Sequence, residues 1–206
     1  MLDAFENIYK VIVRPSVAFN DIKEKRYIYP AVFYLFLFGI VSVIFVIVVF
    51  RNFSIFLEEE LFAQLPLDIS ESLKRYVSSP YFVVLSLITP YLSVFISTSI
   101  YNLIAEFAVK KSNGVPLFLC WSFASVPSLI SKVLTIFLVS AFKIAPPIYV
   151  NLIFVIWGIV LYVIAIERVY EINRGLAIGI LFIPFVLVFV IFSLFVALIM
   201  GIFTSV

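Results

Sequence analysis

The chain has 206 residues, 65% of them hydrophobic and only 13% charged, against about 45–50% apolar and about 25% charged in a soluble domain; such an apolar surplus belongs in a bilayer. Fourteen basic and twelve acidic residues leave a net charge of +2, too small and too scattered for a nucleic-acid footprint. With no histidine and a single cysteine, histidine-based triads, the usual zinc sites, haem ligation and an intramolecular disulfide are excluded, and no cofactor or metal is expected.

Residues 2–12 place Leu2, Phe5, Ile8, Tyr9 and Ile12 on one helical stripe and Asp3, Glu6, Asn7 and Lys10 on the other. That spacing predicts an amphipathic helix, lying in the cytoplasmic headgroup layer or docked under a bundle. The opening Asp3 and Glu6 are unlike the basic start of a cleavable signal peptide, so none is expected. Arg14-Pro15 breaks the helix, and Phe19 and Ile22 follow before the basic Lys23, Lys25 and Arg26, a cluster suited to anionic lipid. Residues 1–26 are therefore read as a cytoplasmic amphipathic segment, with Phe5, Arg14, Phe19, Lys23, Lys25 and Arg26 as the candidate lipid interface.

Five nearly uncharged runs follow, at about 27–50, 79–105, 116–142, 144–166 and 175–203. A charge near the bilayer centre costs about 2.5–3.5 kcal/mol, so such runs mark spans. The first, 24 residues long, would extend about 36 Å at ~1.5 Å per residue, enough to cross with some tilt. The second is expected to start at Ser79-Pro80, a capping serine before a proline suited to the first helical position. The third begins after Asn113-Gly114 and holds Pro127 and Lys132; the fourth opens at Pro146-Pro147, and the fifth contains Pro184. Continuous apolar runs of this length exclude barrel strands, which alternate over about ten residues. The fold class is all-α, a polytopic transmembrane helical bundle of five spans over residues 27–206. Between the first two spans, Phe53, Phe56, Leu57, Leu61 and Leu65 recur at helical spacing opposite Glu58, Glu59, Glu60 and Gln64, predicting a second interfacial helix ended by Pro66. Asp68 and Glu71 then read as a capping box, and Asn52-Phe53-Ser54 matches a glycosylation acceptor pattern.

Nine lysines and arginines flank the spans on the amino-terminal side against four on the other. Positive-inside bias puts the amino terminus in the cytoplasm and the carboxyl terminus outside a cell membrane.

Inside the spans, Cys120, Ala124, Ser128 and Lys132 share one helical face, and Ser122, Ser125, Ser128 and Ser131 surround the Pro127 kink, where their hydroxyls can bond to freed carbonyls. Lys132, Ser128 and Ser125 form the candidate intramembrane polar site. Lys132 either snorkels or meets a lipid phosphate, a substrate anion or a partner subunit. Gly175 and Gly179 form a small-xxx-small pair that predicts close helix packing at the start of the fifth span. Glu106, Glu167, Arg168, Glu171 and Arg174 gather at the cytoplasmic ends of spans and form the candidate partner face. None of Asp3, Asp21 or Asp68 lies in a span, no phosphate-cradling glycine loop is present, and the serines lack an adjacent base, so the chain is read as a non-enzyme.

Arg14-Pro15 with Phe19 and Ile22 ahead of the first span, then Gly114 leading into Trp121, Ser122, Ser125, Val126 and Pro127, then Trp157, and finally Gly175, Ala177 and Pro184, form an ordered series. In that order they resemble the Yip domain family, Ypt/Rab-GTPase-interacting five-span membrane proteins, in its short prokaryotic form. The resemblance implies a non-enzymatic integral membrane protein that organises membrane or recruits partners. It also implies related family members in homo- or hetero-oligomers as partners, beside the lipid bilayer, including anionic lipid, that the amphipathic and basic segment already leads one to expect. Eukaryotic relatives act in trafficking and bind prenylated GTPases, but they carry a long hydrophilic region where this chain has 26 residues before the first span, which argues against transferring small-GTPase binding. The alternative expectation is a small oligomeric transporter, channel or lipid-handling protein built on Lys132 and the kinked third span.

Overall fold

The computed structural model describes residues 2–52 and 79–204. The predicted interfacial helix over residues 53–65 and the Asp68–Glu71 capping box lie outside the described residues.

Helix α1 (Leu2–Val13) ends where Pro15 follows, because the residue before a proline is crowded out of the helical region. Helix α2 (Pro15–Lys25) starts with that proline at its first turn and stops at Arg26, whose left-handed backbone (φ 50) donates its N–H to the Ile22 carbonyl. The first span is α3 (Ile28–Arg51) and the second is α4 (Pro80–Val109). Ser79 caps α4, its Oγ accepting from the Phe82 N–H at 3.3 Å, as the Ser-Pro pair predicts.

The third span is not one helix. It divides into α5 (Gly114–Ala124), α6 (Val126–Phe137) and a π-helical turn over Leu138–Phe142. Pro127 has no N–H for the Phe123 carbonyl and its ring crowds that oxygen; Ser125 accordingly sits at φ −79, ψ 1, between the two helices. The fourth span, α7 (Ile148–Tyr170), starts four residues later than the uncharged run suggests, because Pro146-Pro147 occupies the approach. The fifth is α8 (Arg174–Thr204).

The broken third span is the hub: α5 packs against α4 and α7, α6 against α3 and α7, and α8 closes the bundle against α7 and α4. Of its most apolar stretch 44% is buried, against 11–22% for the other four spans. Its small residues explain the position. Cys120 and Ala124 are fully buried, and α2 approaches so closely that the Cys120 thiol lies 3.6 Å from the Phe19 carbonyl.

A close crossing of two spans lies elsewhere. A Cβ on Gly39 of α3 would lie 3.0 Å from the Leu87 carbonyl oxygen of α4, a backbone atom that has little freedom to yield. Gly175 and Gly179, expected to pack helices, do not: a Cβ on Gly179 would meet nothing within 4 Å and one on Gly175 only the Asn173 side chain. The buried face of α8 is instead Ala177, Ile180 and Leu181.

Helices α1 and α2 form a shelf under one end of the bundle. The apolar arc of α1 is wide enough to do two things. Ala4 and Val11 are fully buried, with Ile8 beside them against the core, while Leu2 (86% exposed), Phe5 (55%) and Tyr9 (65%) stay on the outside. Lys10 ties the two shelf helices together, 2.8 Å from Glu6 and 3.2 Å from Asp21.

Candidate functional site

The shelf is fastened to the span ends by charge. Lys23 Nζ lies 2.6 Å from Glu171 and also donates to the Arg168 carbonyl at 3.2 Å, and Lys111 reaches Glu171 at 3.8 Å. Glu167 takes Arg174 at 3.0 Å and Arg168 at 3.5 Å. Of the five residues expected to make a partner face, Glu167, Arg168 and Arg174 therefore interact with one another, whereas Glu171 serves the shelf. Glu106 is exposed and pairs with none of them.

The candidate lipid interface also divides. Phe5, Arg14, Lys25 and Arg26 are exposed. Phe19 is not at a lipid interface: it is fully buried with Ala18 and Ile22, because α2 turns this stripe onto α5 and α7. Lys23 is drawn into the Glu171 clasp.

The clasp is pH-sensitive. The hydrogen bond and charge of Lys23, with Lys111 behind them, hold the Glu171 carboxyl below the usual carboxylate range. A folded value below the unfolded one means that its contribution is present at neutral pH and disappears as pH falls through the carboxylate range. The bond to Lys10 lowers Glu6 in the same way, and Glu6 first, then Asp21, raise Lys10. The Lys10 contribution is therefore complete at neutral pH and is lost as alkali passes its raised value, just as the Glu6 contribution is lost in acid. Glu171 is largely exposed, so the clasp adds only a small increment to the buried docking of Phe19, Ala18 and Ile22. Thermal unfolding in detergent should shift slightly downward as pH falls through the carboxylate range, and Glu171→Gln should remove part of that shift; an identical pH dependence in variant and wild type would refute the clasp.

A neutral network that no short sequence pattern announces lies beside the clasp. Tyr170 Oη donates to Asn102 Oδ1 at 2.7 Å, the Asn113 backbone N–H reaches the same oxygen at 3.0 Å, and Asn113 Nδ2 donates to the Val169 carbonyl at 3.1 Å. It fixes the short connection between α4 and α5 against the end of α7.

Within the spans, the hydroxyls answer the proline break. Ser125 Oγ donates to the Ser122 carbonyl at 2.7 Å and lies 2.9 Å from the Tyr34 hydroxyl of α3, while Ser122 donates to Phe118. Lys132 Nζ donates to Ser42 Oγ of α3 at 2.8 Å and stands 4.2 Å from the Phe38 ring centroid. It thus bonds to the first span rather than to backbone carbonyls, and no carboxylate pairs with it among the described residues. Ser131 Oγ donates to Asn151 Oδ1 at 3.0 Å. Lys132, Ser128 and Ser125 all line one cavity of about 470 Å³, which extends to Asn151 at the start of α7. A second cavity, about 510 Å³, shares Ser125, Ser128, Ile159 and Tyr162 with the first and is walled by Tyr101, Trp121, Phe182 and Phe185. In Asn52, at the end of α3, the amide nitrogen donates to the Val48 carbonyl at 2.9 Å and the oxygen accepts from Lys143 at 3.0 Å, a capping role for the would-be glycosylation residue.

Five helical spans long and apolar enough to cross a bilayer, with interior hydroxyls bonded to carbonyls of their own helix or to neighbouring spans, define a multi-pass α-helical membrane protein. The family model of the Yip1 domain matches residues 9–196, nearly the whole chain, and the chain belongs to the Yip1 domain family. No match was found among curated proteins or among solved structures.

Proposed function

We propose that this protein is a non-catalytic organiser of the cell membrane, with its amino terminus and shelf in the cytoplasm and its carboxyl terminus outside. The observation that carries the reading is the divided apolar arc of α1. One half is spent on docking, and the other half, Leu2, Phe5, Tyr9 and Ile12, is exposed beside the exposed basic Arg14, Lys25 and Arg26. A docked helix that keeps an apolar stripe and a basic rim acts as a wedge in an anionic headgroup layer, displacing lipid on one leaflet only. The excess of lysine and arginine on the shelf side supports the orientation. The Glu167–Arg168–Arg174 group at the neighbouring span ends offers a charged contact for a second copy or a related family member. Reconstitution into large vesicles containing anionic lipid tests the reading. The wild type is expected to narrow the vesicles into smaller or tubular forms, and the Leu2→Asp, Phe5→Asp, Tyr9→Asp triple variant to lose that effect while unfolding at an unchanged temperature. Vesicles of unaltered shape with the wild type, or an equal effect of the triple variant, would sink it.

A further inference from the structure

Among the described residues, Lys132 is the one charged side chain more than a turn from the end of its span. It lies ten residues before Phe142, hence about 15 Å inside that end at ~1.5 Å per residue, half the thickness of a ~30 Å hydrocarbon layer. An ammonium at that depth calls for an anion, since desolvation without a counter-charge is costly. Ser42 takes one of its three N–H donors and the Phe38 ring lies against it; neither carries a negative charge, and among the described residues no carboxylate lines the cavity. Further along the same wall, Ser131 engages Asn151 Oδ1, which leaves the Asn151 amide N–H groups free to donate.

Among the described residues the adjoining cavity carries no cation, and Tyr101, Trp121, Phe182 and Phe185 wall it together with Ser93 and Ser97. The two meet at Ser125, Ser128, Ile159 and Tyr162, and volumes of about 470 and 510 Å³ are each in the range of small-molecule sites. A cationic, donor-rich chamber side by side with an aromatic one matches a molecule with an anionic head and an apolar chain, and the solvent around both chambers is made of such molecules. We propose that the paired cavities bind one anionic phospholipid, its phosphate on Lys132 and Asn151 and one acyl chain against Trp121 and Phe182. The bound phosphate then sits far below its own headgroup layer. This goes beyond the membrane-organising reading and is independent of it, because no shelf residue takes part.

Gly158 permits a test that leaves the lysine in place. It lines the lysine cavity, and a Cβ there would meet nothing within 4 Å, so Gly158→Leu starts a side chain into open space at the chamber wall and removes a helix-weakening glycine. The full chain in phosphatidylcholine nanodiscs doped with phosphatidic acid, released into native mass spectrometry, should retain one phosphatidic acid in preference to phosphatidylcholine. Lys132→Met and Gly158→Leu should each lower that retention about tenfold or more, and Lys143→Met, a lysine on the exposed end of the third span, should leave it unchanged. If Lys132→Met does not fold, Gly158→Leu decides alone. Equal retention in Gly158→Leu and wild type, no preference for phosphatidic acid, or inorganic phosphate displacing the lipid at millimolar concentration would each overturn the assignment, the last by making the ligand a free anion.

Discussion

Phe19→Asp should unfold the shelf and prevent stable assembly of the protein, while Phe5→Asp, changing the same residue type fourteen positions earlier, should leave its stability nearly unaltered. Phe19 is fully buried beneath α5, with Cys120 3.6 Å from its carbonyl and Ala18 and Ile22 buried alongside. Loss of the ring alone is worth about 3–5 kcal/mol by analogy with buried Phe→Ala changes. The new carboxylate is left without a cation: the nearby Lys23 is held by Glu171 at 2.6 Å, and an unpaired buried charge adds a further penalty of several kcal/mol. Together these rival the whole stability of an ordinary domain, about 5–15 kcal/mol. Phe5 is 55% exposed and touches Phe33 edge-on at 6.3 Å between centroids; its replacement should cost no more than about 1 kcal/mol. Yield of folded protein and thermal unfolding in detergent separate the two. A Phe19→Asp protein that melts with the wild type would show that the shelf does not dock.

That contrast marks where sequence reading stopped. Span number was legible because a charge in hydrocarbon costs kilocalories, so uncharged runs bounded by Arg26 and Arg51, or Arg75 and Glu106, leave few alternatives. The break at Ser125 was legible as a proline kink. The docked face of the shelf was not, because Ala4 and Val11 compete with larger Leu2, Phe5 and Tyr9 on one continuous apolar arc, and hydropathy favours the larger residues. Packing follows shape instead: the small side chain goes where helices come close. Gly39 and Gly179 make the same point. Spacing singled out Gly179, which faces open space, and passed over Gly39, which stands against the Leu87 backbone. Depth was legible for Lys132, but its partner Ser42 is 90 positions away, and the Tyr170–Asn102 bond spans 68; neither leaves a local pattern. The clasp of Lys23 on Glu171 escaped for the same reason, since each end looked complete as a surface charge.

Trp121→Ala should be the most damaging single truncation within the spans, at about 3–5 kcal/mol. The hydrophobic effect cannot supply that figure inside a bilayer, where lipid tails are as apolar as the side chain; what is lost is packing. The Trp121 ring lies between Tyr101 of α4, at 4.6 Å, and Tyr162 of α7, at 4.3 Å, so three spans meet at one stack. The stack reaches a fourth span, because Tyr101 Oη donates to the Leu181 carbonyl of α8 at 3.3 Å. That oxygen lies in the turn before Pro184, where a proline removes one backbone donor and helices need help from neighbours. With Trp121 removed, the Tyr101 ring has space to shift and its hold on α8 weakens, so Trp121→Ala and Tyr101→Phe should be non-additive, with a coupling of about 0.5–3 kcal/mol. Unfolding of the single and double variants in mixed micelles measures it. Additive costs would mean that Tyr101 keeps its bond to Leu181 without the tryptophan, and that the fifth span is held by the buried face of Ala177, Ile180 and Leu181 alone.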